Sequence, residues 1–361
     1  MKITTIVGAR PQFIKAASLS RALRQHHDEI LIHTGQHYDN NMSESFFIEL
    51  EIPKPDYNLS VGSMSHARQT SAMMVGIEDI LLSEKPDAVI LYGDTNSTLA
   101  GAIVAGKLNI PIAHVEAGVR CFVRDMPEEQ NRVLTDHLAK WNFVPSDLAM
   151  ENLKTEGITE NVHNVGDIMY DGLLYYSKKA DEYLDERFYT KLRYLIKNTN
   201  VISEKYYLAT IHRPENTDNT GSLTSIIRGL NSLGYPVLFP VHPRIKKAIK
   251  EITTDNPCDN THFIEPLGYL DMVFFAKNAV KIITDSGGLH KEAFWLKVPS
   301  VVILRNTAWV ETLKGNCNIL ASPDEMDIVN KVNNTIVDYS FYSYNYYGDG
   351  NTGRKIAELL M

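Results

Sequence analysis

The chain has 361 residues, more than one hydrophobic core usually accommodates, so two domains are expected. A formal net charge of −8 excludes a general nucleic-acid binder but leaves room for a local basic pocket that takes an anion. The three cysteines (Cys121, Cys258, Cys317) follow no paired spacing, which suits a reducing cytoplasm and offers no metal site. No stretch approaches the roughly 18 apolar residues of a membrane span, so the expectation is a soluble cytoplasmic protein.

The first predicted strand, "ITTIV", runs into the loop "VGARPQFIK". Gly8 permits a tight turn, Pro11 suits the first helical position, and Arg10 and Lys15 place two cations at the helix mouth. That is a pattern for anion binding, with a surface ion pair as the alternative. The strand "EILIHT" follows, and then "DAVILYG", which leads into Asp94 with Thr95 and Asn96 as cap residues. "IPIAHVEAG" ends near Glu116, and "DMPEEQNR" sets Glu128 and Glu129 at a helix start. On neighbouring parallel strands these carboxylates are expected to converge at one end of the sheet, where close carboxylates hold an acid and a base together. Capping and helix-dipole effects would also account for Asp94 and Glu128, but not for Glu116.

"NFVP" closes this series, and a polar Lys/Tyr/Glu-rich stretch follows from about Asp171 to Lys205. Domains over 1–170 and 171–361 are expected, with the last helix packing back on the first. In the second series "YYLATI" precedes His212 and Arg213, "PVLFPV" precedes His242 and Arg244, "AVKIIT" precedes "DSGG", and "SVVIL" comes last. At a helix start, backbone N–H groups lack partners, and Gly287 and Gly288 remove the Cβ atoms that would block a phosphate. Ser286 adds a hydroxyl, so the segment reads either as a diphosphate cradle or as a plain turn capped by Asp285 or Ser286. Glu292, about one turn on, suits ribose hydroxyls or else an exposed helix surface.

Strands alternating with helix-length intervals define an α/β chain of two doubly wound domains facing a cleft, with ligands beyond the carboxyl ends of the strands. Neither GxGxxG after a strand nor GxxxxGKS/T occurs, which removes the best support for dinucleotide redox chemistry and P-loop hydrolysis. The run "YSFYSYNYYGDG" reads as surface or interface packing.

The stretches "GARPQFIK", "HTGQHYD", "GDTNSTLAG", "HVEAGVR", "MPEEQNR", "HRPEN", "VHPR" and "TDSGG..KEA", in this order, resemble the non-hydrolysing UDP-N-acetylglucosamine 2-epimerase family. The resemblance implies two Rossmann-like domains of glycosyltransferase-B type, a homodimer, and no redox cofactor or metal. It implies removal of the C2 proton with elimination of UDP, and re-addition of UDP after reprotonation on the other face. Asp94, Glu116, Glu128 and His212 then carry the catalysis, while Arg10, Lys15, Arg213, Ser286, Gly287, Gly288 and Glu292 bind UDP.

"FFIELEIPKPDYNL" and "NVGDIMYD" are similar to the branch acting on UDP-2,3-diacetamido-2,3-dideoxyglucuronate, which serves surface polysaccharides. The chain departs from that branch at Leu289 and His290 and at Asn306, Thr307 and Ala308. Gln36, His37, Arg68, Gln69 and His242 match positions where some members bind an activating second UDP-GlcNAc. A hydrolysing epimerase, a glycosyltransferase and a nucleotide-sugar sensor are the competing readings.

Overall fold

The structure, a computed structural model, describes residues 1–36, 50–52, 54–184, 205–255 and 257–361. It divides into two units: Met1–Tyr175 with Asn345–Met361, and Tyr176–Tyr344. The strands of the first unit are β1 (Lys2–Val7), β2 (Asp28–His33), β3 (Tyr57–Asn58), β4 (Ala88–Tyr92), β5 (Ile112–Val115), β6 (Trp141–Val144) and β7 (Val162–Asn164). Between them run α1 (Arg10–Leu23), α2 (His66–Glu84), α3 (Asn96–Lys107), α4 (Pro127–Leu138) and α5 (Asp147–Thr155). The next helix, α6 (Ile168–Leu184), spans the point where the units divide.

The second unit holds β8 (Tyr207–Thr210), β9 (Val237–Pro240), β10 (Thr261–Ile264), β11 (Lys281–Thr284), β12 (Ser300–Val302) and β13 (Asn318–Leu320). Its helices are α7 (Pro214–Thr217), α8 (Thr220–Asn231), α9 (Lys246–Asp255), α10 (Tyr269–Asn278), α11 (Gly287–Trp295) and α12 (Glu325–Asn334). The final helix, α13 (Thr352–Leu359), belongs to the first unit, where it packs on α1.

Both sheets are parallel and ordered alike, as β3-β2-β1-β4-β5-β6-β7 and β10-β9-β8-β11-β12-β13. Each is a Rossmann-type sheet in which the strand order reverses beside its first strand, at β1/β4 and at β8/β11. Helices cover both faces, so every residue of the central strand β4 is buried. In the first unit Ile6, Ile32, Val89 and Leu91 meet Met73 and Ile77 of α2 and Ala100, Ala102 and Val104 of α3. In the second, Leu208, Leu238 and Ile282 pack with Phe275 of α10 and Ala293 of α11 on one side, and Phe239 and Ile283 with Ile226 and Ile227 of α8 on the other.

Candidate active site

In the first unit the site residues gather at the β1/β4 reversal. The loop after β1 is pinned by Gln12, buried in α1, whose Oε1 accepts from the N–H groups of Gly8 (2.8 Å) and Ala9 (3.1 Å). Gln12 Nε2 donates to the Tyr92 carbonyl (2.9 Å) and Thr98 Oγ1 (3.0 Å), which ties this loop to the end of β4 and the start of α3. A Cβ at Gly8 would fall 2.1 Å from Ser97 Oγ and 2.2 Å from Thr34 Oγ1, so only glycine admits this approach.

Lys15 reaches over the loop after β4 to Glu116, with Nζ 2.8 Å from Oε1 and side chains only 6% and 10% exposed. A Cβ at Gly93 would lie 3.0 Å from that Nζ and 3.5 Å from that Oε1, which places the pair directly beside the residue preceding Asp94. Glu116 has a left-handed backbone, φ 71°. Such a conformation in a non-glycine residue costs about 1–3 kcal/mol and persists only where surroundings enforce it, commonly at functional sites.

Asp94 pairs with Arg132 of α4, and its carbonyl accepts from Asn131 Nδ2 at 2.9 Å. The carboxylates therefore meet cations here: Lys15 at Glu116 and Arg132 at Asp94. The adjacent glutamates divide in role. Glu129 is buried, accepts from the Phe122 N–H at 2.7 Å and lies 3.2 Å from Arg132 Nη1. Glu128 is exposed in the first turn of α4, one turn from Arg132 on the same helix face. Arg10 lies at the start of α1 and is partly exposed.

In the second unit, Asp285 organises the β8/β11 reversal. Its fully buried carboxylate accepts from the N–H groups of His212 (3.0 Å) and Arg213 (2.9 Å) and from Asn216 Nδ2 (3.0 Å). Burial alone would raise its pKa, but the bonds from His212, Asn216 and Arg213 hold it below the ordinary carboxylate value. Asp285 Oδ1 also lies 3.1 Å from His212 Nδ1, which leaves Nε2 as the nitrogen for proton exchange or ligand contact. Ser286 caps α11 by accepting from the Leu289 N–H at 3.3 Å. A Cβ at Gly287 would lie 3.7 Å from Arg213 Nη2, so a guanidinium stands beside this helix N-terminus, next to Gly288. Glu292 is buried rather than an exposed helix glutamate, and accepts the Tyr269 hydroxyl at 2.7 Å.

The two departures from the diacetamido branch prove to be one coupled feature. His290 is enclosed, and burial lowers its pKa to about 4, so the ring is neutral near pH 7. Nδ1 donates to the Ser286 carbonyl (3.0 Å), which makes Nε2 the acceptor for the Thr307 hydroxyl (3.2 Å).

Of the residues matched to an activator site, Gln36 Oε1 accepts from Ser97 N (3.0 Å) and Ser97 Oγ (2.7 Å), and Gln69 Oε1 accepts from Asn96 Nδ2 (2.9 Å). Arg68 beside it is exposed, and His37 lies outside the described residues. His242 lies in the second unit, its ring centroid 6.2 Å from that of His212. Among the described residues no group of three or more His, Cys, Asp or Glu side chains gathers to hold a metal ion.

Sequence reasoning passed over Gln12, Arg132 and the clamp role of Asp285. The polar spacing after "GARP" was the available signal for the first, and Arg132 stands at the end of the quoted "PEEQNR".

Two Rossmann-type sheets with paired charges and a helix N-terminus at their reversals define an α/β protein built for a phosphorylated small ligand. A family model described as UDP-N-acetylglucosamine 2-epimerase matches residues 21–361, and the chain belongs to that family. It is 49% identical, over 100% of its length and 99% of the relative's, to a UDP-N-acetylglucosamine 2-epimerase homolog of Methanococcus maripaludis. It is 41% identical to the UDP-2,3-diacetamido-2,3-dideoxy-D-glucuronate 2-epimerase of Pseudomonas aeruginosa, covering 100% of this chain and 99% of that one. The crystal structure of Methanocaldococcus jannaschii UDP-GlcNAc 2-epimerase in complex with UDP-GlcNAc and UDP matches with TM-score 0.88 and 40% identity, covering 100% of this chain and 99% of that one.

The Asp285 clamp has a pH signature. Because its folded-state pKa is depressed, its charge stabilises the fold fully above the unfolded value of about 4, and this is lost as pH falls through the folded value. Asp285→Asn is expected to cost roughly 1.5–3 kcal/mol at pH 7. Urea denaturation should show the gap from wild type closing below about pH 4. A gap that stays constant down to pH 3 would remove the clamp.

Proposed function

We propose that this protein is a non-hydrolysing UDP-sugar 2-epimerase acting on a UDP-2-acetamido sugar, either UDP-GlcNAc or UDP-2,3-diacetamido-2,3-dideoxyglucuronate. The observation that carries the reading is the pair of carboxylates, Asp94 and Glu116, presented at adjacent strand ends with a cation on each. Transfer of a sugar to an acceptor, or mere sensing, gives no reason for such a pair. Inverting a carbon that bears a proton requires an acid and a base.

In this reading one carboxylate of the Asp94, Glu116 and Glu128 set takes the C2 proton as the C1–O bond breaks. UDP departs with the bonding electrons, which leaves a 2-acetamidoglucal. Protonation of C2 on the other face and return of the UDP oxygen to C1 complete the inversion. His212, Arg213, Ser286 and the backbone at Gly287 and Gly288 stabilise the leaving diphosphate, Arg10 assists, and Lys15 acts through Glu116. Glu292 holds the ribose. The pathway served is surface-polysaccharide precursor synthesis in the cytoplasm; among the described residues no helix is long and apolar enough to cross a membrane.

We also propose a homodimer. Val75 and Leu82 on α2 and Leu134 and Leu138 on α4 are exposed apolar side chains, and both helices flank α3. Light scattering is expected to give twice the chain mass, and Leu138→Glu to shift it toward one chain. A dimer untouched by that charge would remove this face from the interface.

The activity is tested by incubating the enzyme with each sugar nucleotide in deuterium oxide and reading products by proton NMR. Deuterium is expected at C2 of both product and recovered substrate, with no dependence on added NAD. Product that keeps its full C2 proton would sink the mechanism, and free sugar in place of UDP-sugar would make the enzyme hydrolysing.

A further inference from the structure

Behind Asp94 and Glu116 lies a histidine–aspartate pair with no solvent exposure on either side chain. His114 belongs to β5 and Asp136 to α4. His114 Nδ1 lies 2.6 Å from Asp136 Oδ1, and its Nε2 lies 2.7 Å from the Gly93 carbonyl oxygen. Both neighbours only accept, so both ring nitrogens donate. Asp136 Oδ2 accepts from the Gly118 N–H at 3.1 Å and pairs with Arg120 at 2.7 Å. Arg120 in turn makes two 2.7 Å bonds to Glu156. Burial would raise the Asp136 pKa, but His114 and Arg120 hold it below the usual carboxylate range.

One connected chain of bonds thus touches Gly93, immediately before Asp94, and grips Glu116 from two residues before it and two after. The gripped backbone is unusual: Gly93, Glu116 and Gly118 have φ of 60°, 71° and 74°. A left-handed glutamate does not hold itself, and the clamp supplies what the local backbone lacks.

We infer that His114 and Asp136 are positioning residues that set the placement of Asp94 relative to Glu116. Neither reaches solvent, so neither is a reacting group. The inference rests on the epimerase reading above. A displacement of about 1 Å at a reacting group costs on the order of 10²-fold in rate.

The test uses His114→Asn, which can imitate Nδ1 and keep the Asp136 contact, and His114→Gln, which can imitate Nε2 and keep the Gly93 contact. His114→Asn leaves the buried carboxylate partnered and is the variant expected to fold if His114→Gln does not; circular dichroism and thermal unfolding check both. Turnover is expected to fall roughly 10–100-fold with KM within about twofold of wild type. In deuterium oxide, the ratio of label in recovered substrate to label in product is expected to shift, because moving one carboxylate against the other unbalances protonation of the two faces. A merely structural defect lowers both labels in proportion, so an unchanged ratio in a folded variant would overturn the inference. Wild-type enzyme that incorporates no deuterium would instead overturn the epimerase reading, and this inference with it.

Discussion

Everything in this molecule depends on the reversal of strand order beside β1 and again beside β8. On either side of a reversal the connecting helices leave for opposite faces of the sheet, so the loops diverge and a crevice opens beyond the strand ends. The loops bordering that crevice must be held by something other than regular structure. Each unit meets this requirement with one buried polar side chain that bonds several loop atoms at once. In the first it is the Gln12 amide, with four partners; in the second it is the Asp285 carboxylate, which takes the N–H groups of His212 and Arg213. The amide can join donors to acceptors, whereas the carboxylate only accepts and so gathers donors.

The charges at the first reversal follow from desolvation. A lone buried charge is costly, and breaking a buried pair costs more than making it gains. Lys15 with Glu116, Arg132 with Glu129, and Asp136 with His114 and Arg120 are largely enclosed, Asp94 is partly exposed beside Arg132, and each charge has its opposite beside it. This arrangement holds these side chains in place without their own flexibility. It also explains how a chain of net charge −8 keeps acidic groups clustered at one sheet end.

The central strands are legible because parallel strands covered on both faces read as apolar-rich runs: "DAVILYG" contains β4 and "AVKIIT" contains β11. The four strands that gave no clear signal, β3, β7, β10 and β13, are the four sheet edges. They are two to four residues long and only partly buried, so no apolar period marks them. At the site, residues ending strands could be placed from the sequence, but their partners could not. Lys15 reads as an anion-binding cation or as one half of an ion pair, but its partner Glu116 lies 101 positions away in the sequence. Nothing in the spacing of "PEEQNR" separates the exposed Glu128 from the buried Glu129. His114 lies within an apolar strand, and its link to Asp136 exists only once β5 and α4 are packed together.

The proposed function rests on a division of labour in which Asp94 and Glu116 move the proton while the β8/β11 reversal holds UDP. It is tested most directly by calorimetric UDP titration alongside initial rates on Asp94→Asn, Glu116→Gln and Glu292→Gln. The first two are expected to lower turnover by about 10²–10⁴-fold with UDP affinity near normal. The third should chiefly weaken UDP binding. Full turnover in both carboxylate variants, or unchanged UDP affinity in Glu292→Gln, would contradict it.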